Sequence, residues 1–208
     1  MKINKIYVDG FRNISALEAE FEDTNIIWGE NAQGKTNLIE AIYLFTGAKS
    51  FRGAKESQLI GFERESAKLK IEFESNNRSQ SAEINLGKNK TVYLNGIKKK
   101  NTSALGEEIK TVVFSPIHLS MIKEGPRERR HFVDGALCQI KSNYRKLLKE
   151  YQRALIQRNT LLKDMYKNPE LDSLLYIWNQ NLAKCGAKII FQRIKYIEKL
   201  LPYVKDIF

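Results

Sequence analysis

The most informative chemistry in this sequence lies in the run Gly29, Glu30, Asn31, Ala32, Gln33, Gly34, Lys35, Thr36, with Asn37 following. It matches the pattern G-x-x-x-x-G-K-[ST] at every fixed position. Glycines at the two ends allow backbone conformations that turn successive N–H groups inward, and a helix starting at the second glycine adds its partial positive charge. Such a cradle neutralises polyphosphate. Lys35 would add a full charge at the β and γ phosphates, and the Thr36 hydroxyl stands where a phosphate-bound Mg²⁺ needs a ligand. The expected ligands are therefore ATP and Mg²⁺, with residues 29–37 as the binding set and Thr36 as the metal ligand. A chance glycine-rich turn is the competing reading, and it does not explain the flanking elements.

Those elements must hold the loop between a strand and a helix. An apolar run at 26–28 reads as the strand that feeds it, and a helix over about 34–45 leaves it. Upstream, Ile3, Ile6 and Val8, then Leu17, Ala19 and Phe21, alternate as two further strands. Residues 68–74, 82–86, 91–94 and 111–114 complete the set. Asn76-Asn77 marks one turn, and Asn95-Gly96 predicts a tight hairpin because both residues tolerate positive φ. Trp28 and Tyr43, close to the loop, could stack on a base but fit core packing better.

From Pro126 the texture changes to helix. Tyr144, Leu148, Tyr151, Leu155, Leu162 and Met165 form one apolar stripe interrupted by Arg158, and Leu171, Leu175, Trp178, Leu182, Cys185 and Ile189 form a second. The Lys167-Asn168-Pro169 break between them predicts an antiparallel helical hairpin. The organisation expected is a β-rich nucleotide lobe over 1–115 and a helical lobe over 116–208.

Charge narrows the partners. The 208 residues hold 35 Lys and Arg against 24 Asp and Glu, a net +11, which is the electrostatic footprint of a nucleic-acid binder. The cations gather in three places. Lys98, Lys99 and Lys100, with Lys88 and Lys90, surround the hairpin. Lys123, Arg127, Arg129 and Arg130 precede the first long helix. Lys146 and Lys149, with Lys141, Arg145 and Arg153, run along the next. These groups suit phosphate contacts, whereas no recognition-helix or zinc-finger pattern suggests base readout. Solvated faces, or pairing of Arg129 or Arg130 with Glu128 or Asp134, remain open. Cys138 and Cys185 lack any CxxC partner and read as buried free thiols of a reducing compartment. The first ten residues lack a signal-peptide pattern, and no apolar run is long enough to span a membrane, so the chain is expected in the cytoplasm or with the nucleoid.

Further motifs resemble the RecF family of bacterial recombinational repair, whose ATPase heads are related to SMC and ABC ATPases. Asp9-Gly10-Phe11-Arg12-Asn13 is similar to the family's segment after its first strand, and implies that Arg12 and Asn13 contact the nucleotide. Residues 31–37 followed by Leu38-Ile39-Glu40-Ala41-Ile42 resemble its phosphate loop and helix, and Lys49-Ser50-Phe51-Arg52 its arginine segment. Val112-Val113-Phe114-Ser115-Pro116, then residues 125–134, then Tyr144, Tyr151 and Gln157-Arg158-Asn159 follow in the family's order. The resemblance implies an α/β fold: an ABC/SMC-type P-loop head lobe with mixed β-sheets, then a helical lobe. It also implies a clamp on duplex DNA at gaps or junctions, an ATP-dependent homodimer, and RecO and RecR as mediator partners.

The sequence departs from that pattern twice. Ile117-His118 stands where the family usually has an acidic pair after Ser-Pro, which removes the usual grounds for a metal or water role there. No segment reads as a Walker B strand ending in acids, or as a signature motif. The expectation is thus an N-terminal part of a longer head, binding ATP with little or no hydrolysis, since charge stabilisation of phosphoryl transfer needs those groups. A small-molecule P-loop kinase or transport-type ATPase is the alternative; it would need acidic catalytic residues near the loop. A third reading, a structural head whose hairpin is mainly an interaction arm, suffers from the hairpin's short length.

Overall fold

The structure, a computed structural model, describes residues 1–166 and 168–207; for Ile117, His118, Ser120, Ile122 and Pro169 it describes the backbone alone. The chain divides into two compact units, Met1–Ser120 and Met121–Phe208.

In the first unit, alternation of apolar and polar residues produces strands that bury one face. They are β1 (Lys2–Phe11), β2 (Ile14–Glu20), β3 (Ala67–Ser75), β4 (Arg78–Leu86), β5 (Thr91–Leu94) and β6 (Ile97–Lys99), forming one sheet in the order β2-β1-β3-β4-β5-β6. Every pairing is antiparallel. Asn76-Asn77 and Asn95-Gly96 turn the β3–β4 and β5–β6 hairpins with positive φ at both residues of each pair, the geometry that matches strand twist. The inner face carries Ile6, Val8, Leu69, Ile71, Phe73, Ile84 and Val92, all nearly inaccessible to solvent. Against it pack Leu38, Ala41, Leu44 and Phe45 around helix α1 (Lys35–Leu44). Burial of this apolar surface, at about 25 cal/mol per Å², stabilises the unit.

Two expected strands are not formed, and the pairings among the described strands are all antiparallel. Residues 26–28 and 111–114 are irregular and pair with no strand among the described residues, with Ile26 86%, Trp28 87%, Val112 99% and Phe114 82% exposed. Apolar composition alone does not make a strand; the ladder needs a neighbour to satisfy its N–H and C=O groups. Trp28 is accordingly not a core residue.

The second unit is helical: α2 (Ser120–Lys123), α3 (Pro126–Ile140), α4 (Tyr144–Asp164) and α5 (Asp172–Ile207). Pro126 occupies the first turn of α3, where its missing N–H costs nothing. Lys141 bonds Gln192, Tyr151 lies against Gly186, and Arg158 donates to Asn179 at 2.6 Å. From Lys141, just ahead of α4, through Tyr151 and Arg158 on it, the partners on α5 fall as positions rise, so the hairpin is antiparallel as expected. Arg158, the break in the apolar stripe, is answered by Asn179. Leu137, Tyr144 and Ile189 form the buried centre. Both cysteines are half-buried rather than buried, and burial pushes the Cys138 thiol above its ordinary pKa. Among the described residues no helix is long and apolar enough to cross a membrane.

Candidate functional site: the phosphate loop and its braces

The loop leaves an exposed extended segment and ends at Gly34, which caps α1 at φ 95. A Cβ there would stand 3.0 Å from Asn13 Oδ1 and 3.2 Å from Ile14, so both the left-handed backbone and the close approach require glycine. Gly29, at φ 144, needs it for backbone reasons. Ala32 also adopts a left-handed conformation, φ 65, an uncommon state for a residue with a Cβ. Lys35 Nζ donates to the carbonyls of Gly29 at 2.7 Å and Glu30 at 2.6 Å. The ammonium thus lies across the loop's own mouth. Thr36 is exposed on the first turn of α1. Among the described residues no three His, Cys, Asp or Glu side chains converge as a metal site; Thr36 is the side chain that would hold a Mg²⁺ carried in on phosphate oxygens.

Behind the loop lies a network centred on Glu40. One turn beyond Thr36, its carboxylate points into the apolar side of α1 and is fully buried. Arg12 meets it with two bonds, Nε to Oε2 at 2.9 Å and Nη2 to Oε1 at 3.0 Å. Ser50 donates to the same Oε1 and in turn accepts from the backbone N–H of Arg52 at 3.1 Å and Ala54 at 3.2 Å. A buried carboxylate is tolerable only with such complete partnering. The guanidinium of Arg12 is thereby committed to the protein, and its side chain is 19% exposed. Asn13 faces the loop from the β1–β2 turn, donating to the Ala32 carbonyl at 2.5 Å and accepting from Asn37 at 2.7 Å. Asn37 accepts from Arg52 at 2.9 Å. All of Arg12, Asn13 and residues 29–37 therefore gather in one neighbourhood, with Arg12 and Asn13 bonded to protein groups.

Glu40, Ser50 and Arg52 belong to this neighbourhood although the motif pattern does not name them. The signal in the sequence is a carboxylate among Leu38, Ala41 and Leu44, where an acid must find a cation. Tyr43, instead of facing the loop alone, packs edge-on to Phe51 at 5.5 Å.

The basic groups separate by environment. Lys98, Lys99 and Lys100 lie on or just beyond the edge strand β6, and Lys90 pairs with Glu56. Across the outer sheet face, cations and acids alternate: Lys5 with Glu18 at 2.5 Å and Glu20 at 3.1 Å, Lys70 with Glu72 at 2.7 Å, Lys68 with Glu83 at 3.2 Å. That face is self-neutralised. Lys123, Arg127, Arg129 and Arg130 are exposed, with Arg129 near the Met121 carbonyl at 3.4 Å. Lys146, Lys149 and Arg153 are exposed at helical spacing along α4, on one stripe. Lys141 is taken up by Gln192. Asp134, a proposed partner for Arg129 or Arg130, instead holds Arg193 through two 2.8 Å bonds and accepts from Tyr144 at 2.7 Å. His118 falls outside the described side chains.

Comparison with known proteins places this geometry. The family model described as AAA ATPase domain matches residues 1–207. The DNA replication and repair protein RecF of Agathobacter rectalis is 39% identical over 210 residues, covering 100% of this chain and 58% of that protein. That of Thermoanaerobacter sp. is 39% identical over 208 residues, covering 99% and 57%. The chain thus spans a little over half the length of the curated relatives it matches. Among solved structures, the recombination mediator protein RecF-ATPrS in the RecFOR pathway superposes with a TM-score of 0.90 at 38% identity, over 95% of this chain and 54% of that one. The RecF-ATP structure gives 0.89, at 38% identity over 96% and 54%. The loop, its helix and the antiparallel sheet beneath them thus have the α/β head architecture of these relatives, and the chain belongs to the AAA ATPase domain family.

Proposed function

We propose that this chain binds ATP through residues 29–37 as part of a RecF-type repair protein, and that it also meets duplex DNA. The observation that carries the reading is the loop itself, with left-handed Ala32 and Gly34 at the N-terminus of α1 and the Lys35 ammonium across its mouth. In the complex Lys35 exchanges its two carbonyl acceptors for phosphate oxygens, and Thr36 ligates the Mg²⁺ that those oxygens carry. A solved relative described as RecF-ATP supports the choice of nucleotide. Arg12 acts on the nucleotide through Glu40 rather than by contact.

DNA contact falls to exposed cations that form no ion pair among the described residues. Lys146, Lys149 and Arg153 form one stripe, with Lys123 and, on α3, Arg127, Arg129 and Arg130, and with Lys98 to Lys100 on and just beyond β6, as further groups. Edge lysines also keep strands from pairing with other chains, so β6 has a second explanation that α4 does not. ATP-dependent dimerisation on duplex DNA, collaboration with RecO- and RecR-type mediators and a cytoplasmic, nucleoid-associated location complete the proposal. A small-molecule kinase or transport enzyme would need acidic groups converging near the loop, and no such cluster exists among the described residues.

Calorimetry with ATP·Mg²⁺ tests the first part: Lys35→Ala should weaken binding at least about tenfold, the usual worth of a hydrogen bond to a charged group. Unchanged affinity would refute the loop assignment. For DNA, replacing Lys146 and Lys149 by Glu should lower the slope of log affinity against log salt by about 2, at roughly 0.9 for each phosphate no longer neutralised. An unaltered slope removes α4 from the footprint.

A further inference from the structure

Two side chains connect a surface cation, Arg52, to the backbone of the phosphate loop. Arg52 Nη1 donates to Asn37 Oδ1 at 2.9 Å, Asn37 Nδ2 donates to Asn13 Oδ1 at 2.7 Å, and Asn13 Nδ2 donates to the Ala32 carbonyl at 2.5 Å. The chain has only one possible direction. A guanidinium can only donate and a carbonyl can only accept, so with those two ends given, each asparagine must present its oxygen toward Arg52 and its amide toward Ala32. Hydrogen bonds aligned head to tail polarise one another in the same sense. The last acceptor belongs to Ala32, whose φ of 65 is unusual for its residue type. Bonding its carbonyl holds it there.

Arg52 is anchored at its other end as well. Its N–H donates to Ser50 Oγ, and Ser50 is bonded to the buried Glu40 carboxylate that Arg12 grips from the β1 side. The base of the arginine is therefore set by the core, while its guanidinium sets the amides.

We propose that Asn13 and Asn37 are positioning residues that transmit the placement of Arg52 to the phosphate loop, keeping Ala32 left-handed and the loop's amides turned toward polyphosphate. This rests on the reading of the loop as a nucleotide site. The relay acts as one unit, so severing it at either end has the same consequence. Losing Arg52 lets the amides of Asn37 and Asn13 rotate, and losing Asn13 makes the state of Arg52 irrelevant to Ala32.

A double-mutant cycle on nucleotide affinity separates this from independent contacts. With a fluorescent ATP analogue and Mg²⁺, Asn13→Ala and Arg52→Ala should each weaken binding about five- to tenfold, the range of one missing hydrogen bond. The double variant should lie within about twofold of the weaker single, since the relay is already broken. Arg52→Lys, which keeps a donor for Asn37, should restore affinity in the otherwise native chain and do nothing in the Asn13→Ala background. Both side chains are on the surface, so thermal unfolding should shift little while affinity changes. Effects that multiply in the double variant, singles without effect, or affinity losses that only track unfolding would each overturn the relay. Lys35→Ala run alongside distinguishes the two levels. If it leaves affinity unchanged, the nucleotide site is misplaced; if it abolishes binding while the cycle is multiplicative, only the relay fails.

Discussion

The two units of the chain reach order by different means. In Met1–Ser120 the sheet buries a continuous apolar face under α1, and the buried polar side chains described there are Glu40, paired with Arg12, its partner Ser50, and Thr46, which donates to the Tyr43 carbonyl. In Met121–Phe208 the buried centre is small, Leu137, Tyr144 and Ile189, with half-buried neighbours around it. Its polar cluster is correspondingly prominent: Asp134 joins α3 to Tyr144 at the start of α4 and to Arg193 on α5. Much apolar surface stays open on α5, including Ile190, Phe191, Ile194, Ile197 and Leu201. The difference teaches that the phosphate loop sits on the better-packed platform. Preorganised amides need a rigid base, whereas phosphate contacts from lysine and arginine tolerate a looser one.

The comparison is open to direct attack. Truncating Phe73, fully buried in β3, to alanine should cost about 4 kcal/mol, whereas Ile189→Ala on α5 should cost about 2 kcal/mol because its surroundings can relax. Hydrogen exchange read region by region would show the two losses separately. Equal costs would mean that the helical unit is as tightly packed as the sheet.

Arg12→Ala comes next. It strands a carboxylate whose side chain is 0% exposed beside a residue 19% exposed, a geometry in which losing one partner costs about 3 kcal/mol. The matching change in the helical unit, Arg193→Leu, should cost less, about 1 to 2 kcal/mol, because Asp134 keeps Tyr144 and both side chains retain some water, at 23% and 19% exposure. Urea titrations of both variants rank them; the reverse order would place the more consequential ion pair among the helices.

The smallest effect is in pH. Burial, then the bond to Asp134, raises the Tyr144 hydroxyl above its ordinary 10.0. The folded chain holds that proton more tightly than the unfolded chain does. Its stabilisation is therefore whole below about pH 10 and drains as pH climbs toward the higher folded value. Melting of the helical unit should fall above about pH 10, and Tyr144→Phe should flatten that fall. A profile identical in the two proteins would remove Tyr144 from the cluster's energetics.

Much of this molecule was legible from residue order. The phosphate loop declared itself because glycine, lysine and threonine at fixed spacing have few other uses, and the asparagine turns because positive φ is a local property of the backbone. Strand alternation in β1, β3 and β4 and the apolar stripes of α4 and α5 follow from periodicity, which is also local. What tertiary structure decided is who meets whom. Residues 26–28 and 111–114 have strand composition, but a strand exists only where another chain segment offers its ladder, and composition says nothing of that. Arg12 reads from sequence as a nucleotide contact, and the fold adds Glu40, twenty-eight positions away, as a partner for its guanidinium. The outer-face lysines are part of the net positive charge, and it is the antiparallel register that sets Glu20 opposite Lys5 and Glu83 opposite Lys70. Spacing along the chain specifies each group's chemistry, while charge and hydrogen bonding act across space, so the partner that spends or spares a charge is a property of the fold.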